Sequence, residues 1–154
     1  MSLILTAIPG IPLIQAGDDL AELLLRALAA ASCALQDGDV LVLAQKIVSK
    51  AEGRWVNLAK VQPSAHAQEL AQRIEKDPRL VELVLQESRE VLRTRAGTII
   101  VEHKLGFVCA NAGIDHSNVA GEGNPGDEWV LLLPENPDGS AQLLRERFEQ
   151  ASGK

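Results

Sequence analysis

The stretch PSAHAQELAQRIEKDPRLVELVLQESREVLRTRAGTIIVEHKLGFVCA, residues 63–110, decides the fold class. Pro63-Ser64 predicts the start of an amphipathic helix that runs to about Glu75. Asp77-Pro78 then offers a capping carboxylate and a first-turn proline, which predicts another amphipathic helix reaching about Leu92. Two consecutive helices are therefore expected before any strand of this stretch.

The second half of the stretch indicates a hairpin. Thr98–Val101 and Phe107–Ala110 are short β-prone runs on either side of Leu105-Gly106. Further along, Trp129–Leu133 predicts another strand before Pro134, and Asp138 is expected to cap a last helix that ends at Gly153. Strands interspersed with paired helices predict an α+β fold with a mixed sheet and several flanking amphipathic helices.

The amino-terminal third predicts a strand, a stiff loop and a helix. Leu3–Ile8 is β-prone and stops at the segment Pro9–Pro12, whose two prolines remove backbone donors. Asp18 or Asp19 can cap a helix whose apolar residues recur at helical spacing as far as Leu28.

A further strand is expected just beyond that helix. Val40–Ala44 is a continuous apolar run, and the β-branched pair Ile47-Val48 suggests that extended structure continues past it. Lys46 and Lys50 would then emerge from the same face.

Composition limits the classes of function. A chain of 154 residues has the usual length of one domain, so 1–154 is expected to form a single domain. The net charge of −6 and pI near 5.1 argue against nucleic acid as a partner. Cys33 and Cys109 lack zinc or disulfide spacing, which fits a reducing cytoplasm. The apolar run 3–14 contains prolines and lacks a basic flank, so neither a signal peptide nor a membrane helix is expected.

The best site candidate is the polar cluster Asn111–Asn118, which directly follows a predicted strand. The common phosphate-loop, dinucleotide, zinc-protease and serine-hydrolase motifs are all missing. Asp115 could bind Mg²⁺ or Mn²⁺, because these cations prefer oxygen ligands. Asp115 and Asn118 could equally close the loop through bonds to the backbone, and spacing alone favours that second interpretation.

Other signals are less specific. Lys50 could bind a phosphate, but it could equally be a solvated surface lysine. The loop 9–13 could pack against a nucleotide base or simply connect two elements. The glycine-rich stretch 121–126 could wrap a ligand or form a turn. None of His66, His103 and His116 lies in a catalytic motif, so no catalytic residue is assigned.

Several segments together resemble one known family, the coenzyme F420-0:L-glutamate ligases. The likeness begins near Ile8 and runs to the end of the chain, in the same order and spacing as the family. The segments that carry it are GIPLI at 10–14, GDVLV at 38–42, IVSKAEGR at 47–54, CANAGID at 109–115 with Ser117-Asn118, and LLLP at 131–134 before DGS at 138–140.

This resemblance implies an enzyme that uses GTP to phosphorylate the terminal carboxylate of the coenzyme F420 precursor. The amine of L-glutamate then displaces phosphate and leaves an amide, and a second glutamate follows through a γ-linkage. A carboxylate is a poor acyl donor until one oxygen becomes part of a phosphate leaving group, and a divalent metal offsets the accumulating charge. The implied cofactors are Mg²⁺ or Mn²⁺, with K⁺ as an additional cation, and the implied assembly is a homodimer.

The resemblance also implies roles for individual residues. The implied GTP pocket comprises Gly10, Ile11, Pro12, Leu13, Gln45, Lys46 and Lys50. Asp115 is implied as a metal ligand and Asn118 as a nucleotide contact. The family tolerates small hydroxyl residues at the positions of Gln45 and Lys46, and the loop 120–127 is longer here than is usual.

Length is the larger departure from the family pattern. The family continues beyond this point with an Asp-Thr strand that supplies further metal ligands, so the chain corresponds to an N-terminal part and is expected to be inactive alone. The alternative is a non-catalytic nucleotide-binding or assembly module of the same origin. A third interpretation is an oligomerisation domain in which the Asp115 loop is only a turn.

Overall fold

The structure is a computed structural model that describes residues 2–116 and 128–153. Asn118, the longer loop 120–127 and the glycine-rich stretch 121–126 lie outside the described residues. The chain divides into two units, Met1–Gly53 with Pro134–Lys154, and Arg54–Leu133. None of the helices in the described ranges combines the length and apolar character that crossing a bilayer requires.

The first unit contains three helices, α1 (Leu20–Ala30), α2 (Gln45–Ala51) and α5 (Pro137–Ser152). Helix α1 begins as predicted, because the Asp19 carboxylate accepts a hydrogen bond from the backbone N–H of Glu22 at 3.0 Å. The Arg147 guanidinium of α5 donates to the same carboxylate at 2.8 Å. Both contacts favour the charged form and lower the pKa of Asp19, the backbone bond most.

The first helical turn of α5 differs from the prediction. The N-cap is Asn136, whose side-chain oxygen accepts from the backbone N–H of Gly139 at 3.0 Å, and Pro137 occupies the first turn. Asp138 is therefore the second residue of the helix, where its charge still complements the positive end of the helix dipole. The helix ends at Gly153, as expected, in a left-handed conformation.

Two predicted strands of the first unit are wrong. Leu3–Ile8 and Val40–Ala44 form neither helix nor strand. Ile4 and Val42 are 83% and 89% accessible, whereas Leu41 and Leu43 are half-buried and pack against a hydrophobic cluster of this unit. A strand needs a hydrogen-bonded neighbour, and none of the described segments provides one here.

The extended conformation predicted at Ile47-Val48 is also wrong, because both residues lie in α2. Ile47, Val48 and Ala51 pack against the buried cluster of this unit, at a spacing that suits one face of a helix. Packing on this cluster overrides the β-preference of the branched side chains. The cluster itself consists of Ile14, Leu20, Leu24 and Phe148.

The second unit packs two helices, α3 (Ala65–Ile74) and α4 (Pro78–Gln86), against an antiparallel sheet. Both helices begin where predicted, and Asp77 caps α4 as expected by accepting from the N–H of Arg79. At the start of α3 the Ser64 side chain accepts from the N–H of Ala67. The buried residues are Ala67, Leu70, Ala71, Ile74, Val81, Val84, Ile99, Val101 and Ala112.

Helix α4 ends at Gln86, earlier than the predicted Leu92, because the chain enters strand β2 (Ser88–Arg95). The Ser88 hydroxyl donates to the carbonyl oxygen of Val84 at 2.5 Å and satisfies one of the last helical acceptors. The predicted hairpin is confirmed: β3 (Thr98–His103) pairs antiparallel with β4 (Val108–Ala110), and β2 lies on the other side of β3.

A second, two-stranded sheet completes this unit. The predicted strand near Trp129 is confirmed as β5 (Trp129–Leu131), and its antiparallel partner β1 (Trp55–Asn57) was not predicted. Helices and antiparallel strands occur together in the described residues, which confirms the α+β class.

Candidate functional site

The chain leaves β4 through a left-handed turn at Asn111–Gly113. Asn111, Ala112 and Gly113 have φ values of 50°, 52° and 67°, a conformation that glycine accepts readily, asparagine tolerates and alanine rarely adopts. Each non-glycine residue in this region costs about 1–3 kcal/mol. Strain of this kind persists where the surrounding structure fixes it, and it clusters at ligand-binding sites.

Strand β5 and the residues after it hold this turn. The backbone N–H of Asp115 donates to the carbonyl oxygen of Leu131 at 2.9 Å, and the N–H of Leu131 donates to the carbonyl oxygen of Asp115 at the same distance. Gly113 lies against Leu133 so closely that an added Cβ would stand 2.8 Å from Cδ1. The backbone that carries the partly exposed Asp115 side chain is therefore fixed from two sides.

Two buried polar atoms, one in this turn and one at the start of β5, lack partners within the described part of the chain. They are Oδ1 of Asn111 and Nε1 of Trp129. A buried polar atom without a partner costs about 1–3 kcal/mol relative to a satisfied one. The Asn111 oxygen is thus an acceptor that a ligand, a cation or a water could satisfy, a role that spacing in the sequence did not reveal.

A charged network supports the end of β5. The Arg54 guanidinium donates through Nε to the carbonyl oxygen of Leu133 at 2.9 Å and through an Nη to a Glu87 oxygen at 3.2 Å. Lys104 approaches the other Glu87 oxygen at 3.6 Å. Arg54 thereby ties the residue that packs on Gly113 to the junction between α4 and β2. Sequence reasoning missed Arg54 and Glu87 as supporting residues, because their contact joins positions 33 residues apart.

His103 is buried beside this network. Its Nδ1 accepts a hydrogen bond from the backbone N–H of Leu105 at 3.0 Å, and its ring stacks on Phe107. The Nε2 atom is 3.9 Å from a Glu87 oxygen, too far for a hydrogen bond. Burial lowers the pKa of His103 most, while the Glu87 carboxylate partly opposes that shift. The neutral imidazole is therefore the favoured form.

The residues implied in nucleotide binding lie mainly in the first unit. Gly10, Ile11, Pro12 and Leu13 belong to an exposed irregular segment. The end of that segment is held at α2, because Ile14 packs in the same cluster as Ile47, and the N–H of Gly17 donates to the carbonyl oxygen of Ala51 at 2.8 Å.

Helix α2 carries the other three implied residues of this unit. Lys46 and Lys50 are four residues apart in the helix and so share one side of it, although the prediction had placed them on a strand. The Gln45 side-chain amide donates to the Ser49 hydroxyl at 2.5 Å. Ser49 is fully buried, so Gln45 helps to satisfy a hydroxyl inside the helix.

Asp115 lies in the second unit, apart in sequence from these seven residues. Within residues 2–116 and 128–153, no three His, Cys, Asp or Glu side chains group as a metal site would require. Asn118 lies outside the described residues. The described part thus supplies one carboxylate on a fixed backbone and not a complete set of protein ligands.

Comparison with known proteins identifies relatives. A sequence profile of the family F420-0:Gamma-glutamyl ligase matches residues 10–154. A protein of Methanothermobacter thermautotrophicus named coenzyme F420:L-glutamate ligase is 44% identical over 154 residues, 100% of this chain and 59% of that protein. Proteins of the same name from Methanopyrus kandleri and Archaeoglobus fulgidus are each 46% identical, over 91% and 96% of this chain and 51% and 54% of their own length.

The chain thus spans about half the length of the curated relatives it matches. The profile covers nearly all of the chain, including the strained turn and its Asp115. On this match, the chain belongs to the F420-0:Gamma-glutamyl ligase family.

Proposed function

We propose that this chain is the N-terminal part of a GTP-dependent ligase that joins L-glutamate to the coenzyme F420 precursor through an amide bond. The observation that carries the proposal is the identity of 44% over the whole chain to a protein with that ligase name. The strained and buttressed turn before Asp115 supports it, because a rigid loop is what a positioned ligand side chain needs.

The proposed reaction has two steps. A carboxylate oxygen of the precursor attacks the γ-phosphorus of GTP, so that an acyl phosphate forms and GDP leaves. The amine nitrogen of L-glutamate then attacks the acyl carbon, phosphate leaves with the C–O electron pair, and the nitrogen loses a proton. Both steps depend on positioning and on neutralising phosphate charge.

In this proposal Asp115 is one ligand of the divalent cation. Mg²⁺ usually takes only one or two protein carboxylates and completes its shell with phosphate oxygens and water, so the single carboxylate of Asp115 fits a shared site. The cation, Mg²⁺ or Mn²⁺, would offset phosphate charge when bound. The protein's own contribution is to fix the Asp115 backbone through its two hydrogen bonds to Leu131.

The proposed nucleotide contacts are Lys46 and Lys50 of α2, Gln45, the segment 10–13, and Asn118. Two ammonium groups on one side of a helix suit a triphosphate, because each lysine acts as a compact point charge. The proposal also includes K⁺ as an additional cation, a cytoplasmic setting and a homodimeric assembly.

The test compares three proteins with GTP, Mn²⁺, L-glutamate and the coenzyme F420 precursor. They are this 154-residue chain, a fusion that continues it with the C-terminal part of the Methanothermobacter thermautotrophicus relative, and that relative as positive control. Mass spectrometry follows the glutamylated product. The fusion should form product and the short chain none, since loss of positioning alone can forfeit about 7–11 kcal/mol of barrier reduction.

The outcomes separate the proposal from its rival. Product from the short chain would show that a complete active site is encoded within it. A folded fusion that binds GTP and forms no product would favour a non-catalytic nucleotide-binding or oligomerisation module. A folded fusion that neither binds GTP nor forms product would overturn both.

A further inference from the structure

A groove of about 570 Å³ lies between α3 and the outer strand β2 of the second unit. Its volume is within the range of about 300–1,000 Å³ that is common for small-molecule sites. Among residues 2–116 and 128–153, those that line it include none of the residues proposed to bind nucleotide or metal. The groove is therefore a separate feature of this unit.

Positive charge collects in the groove although the chain as a whole is acidic. Three arginines, Arg73, Arg89 and Arg93, line it, and Glu90 is the one carboxylate among the lining residues that the structure describes. Arg89 is partly neutralised by Glu102 at 3.1 Å. The side chains of Arg73 and Arg93 have no ion pair or hydrogen bond with any residue in the described ranges. Two guanidinium groups thus remain available to a ligand.

Arg73 and His66 lie on the side of α3 that lines the groove. His66, Leu70 and Arg73 line it from α3, and their spacing of four and three residues places them along a single stripe of the helix. From β2, all the residues from Ser88 to Thr94 line it. Because successive side chains of a strand point to opposite faces, such an unbroken run means that the groove follows the edge of the strand.

Two β-bulges shape that edge. Ser88 and Glu90 pair with consecutive residues of β3, as do Val91 and Arg93, so Arg89 and Leu92 are each an extra residue on β2. Bulges redirect side chains and are frequent beside binding sites. Bulges and charged residues also protect an edge from pairing with another strand. This edge is therefore better suited to a small anion than to an added peptide strand.

We propose that this groove binds a small molecule carrying two or more phosphate or carboxylate groups, held by Arg73 and Arg93. A guanidinium offers a planar fork of N–H donors that matches the oxygens of either group, and such charge-assisted bonds are stronger than neutral ones. The proposal does not depend on the ligase activity.

The test uses pyrophosphate and citrate as probes of the two anion classes, with glycerol as the uncharged control. Amide chemical shifts of the 154-residue chain report binding residue by residue. At least one of the two anions should cause saturable shifts that are confined to α3 and β2. Glycerol should cause no saturable shift. A comparison of the two affinities shows whether the groove prefers phosphate or carboxylate groups.

A matched set of variants completes the test. The double variant R73Q/R93Q should weaken the affinity about tenfold or more, which corresponds to about 1.4 kcal/mol. R95Q is the control, because Arg95 is an exposed arginine of the same strand that does not line the groove, and its affinity should stay within about twofold of the parent. Equal affinities of R73Q/R93Q and R95Q, or no saturable shift with either anion, would overturn the proposal. So would a concentration-dependent dimer that protects the β2 amides, because the edge would then be an interface.

Discussion

Gly113 lies so close to Leu133 that a Cβ added to the glycine would stand 2.8 Å from Cδ1 and 3.0 Å from Cγ of the leucine. The glycine also has a φ of +67°. Glycine is therefore required at this position for two independent reasons: the backbone conformation and the lack of space for a side chain. That position is two residues before Asp115, and Leu133 is itself held by Arg54.

Gly113→Ala should destabilise the protein both through backbone strain and through a close contact with Leu133. The left-handed backbone alone should cost about 1–2 kcal/mol for a residue with a Cβ. The contact with Leu133 should add about 1–3 kcal/mol, the usual cost of overpacking. The free energy of unfolding from urea titrations measures the sum.

Gly97→Ala is the matched control for Gly113→Ala. Gly97 has a φ of +75° and an added Cβ there would meet no heavy atom within 4 Å, so only the backbone cost applies. The difference between the two variants isolates the Leu133 contact. Equal losses of stability would contradict the close packing of the turn.

The buried His103 predicts a dependence of stability on pH. In an unfolded chain the imidazole titrates near pH 6.5, and burial lowers its pKa in the folded protein, while Glu87 opposes the shift and Lys104 and Arg54 add to it. As the pH falls below 6.5, the unfolded state therefore binds more protons than the folded state. The stability contribution is fully present above that pH and declines below it, until the folded pKa is passed.

His103→Gln should flatten this decline. Unfolding midpoints in urea at about pH 7.5 and about pH 5.5 should differ less in this variant than in the parent chain. His66→Gln removes an exposed imidazole and should keep the parent's difference. A parent chain with equal stability at the two pH values would refute the role of His103.

Sequence patterns were sufficient where an element is stabilised by nearby residues. Asp77 was predicted as a cap, Asp19 as one of two candidate caps, and Pro63-Ser64 as the start of a helix, and the structure has caps at Asp19, Ser64 and Asp77. Only the cap of α5 was placed two residues too late, at Asp138 and not at Asn136. The β3–β4 hairpin likewise pairs segments separated by a short turn. Local hydrogen bonds of this kind depend on residue type and spacing, which is why they could be predicted.

Patterns failed where distant segments decide the conformation. Strand β1 is a strand because it pairs with β5, more than 70 residues later, and β2 forms next to β3 although its sequence also suits a helix. The apolar run Val40–Ala44 has strand composition but no partner in the described residues. β-propensity describes what fits a sheet, and it does not supply the neighbouring strand.

The candidate site was predicted only in part, for a similar reason. The polar cluster Asn111–Asn118 was predicted as a site from its composition and from a family resemblance, and its described part begins with the turn Asn111–Gly113. Its left-handed backbone, the buried Asn111 oxygen and the support from Arg54 are three-dimensional features. No spacing rule encodes them, because Arg54 and Leu133 meet across 79 residues.

Asp115→Asn tests the proposed metal ligand in the fusion protein described above. Removing one carboxylate charge should lower turnover with Mn²⁺ by more than about tenfold, which corresponds to about 1.4 kcal/mol in the barrier. The fold should persist, because the two hydrogen bonds to Leu131 use backbone atoms only. Activity within about threefold of the parent fusion would remove Asp115 from the proposed metal site.

Lys50→Met tests the proposed contact with the nucleotide phosphates. An ammonium that bonds a phosphate contributes about 1.5–3 kcal/mol. In the fusion protein, the variant should therefore bind GTP about tenfold to one hundredfold more weakly, as measured by calorimetry. Methionine keeps most of the apolar stem of lysine, and Lys50 is only partly buried on α2, so the unfolding free energy should change by about 0.5 kcal/mol or less. Lys60→Met is the control, because Lys60 is an exposed lysine of the second unit that lies outside the proposed pocket. GTP affinity that falls equally in both variants would point to a general charge effect. Affinity unchanged in Lys50→Met would show that the α2 lysine does not bind phosphate.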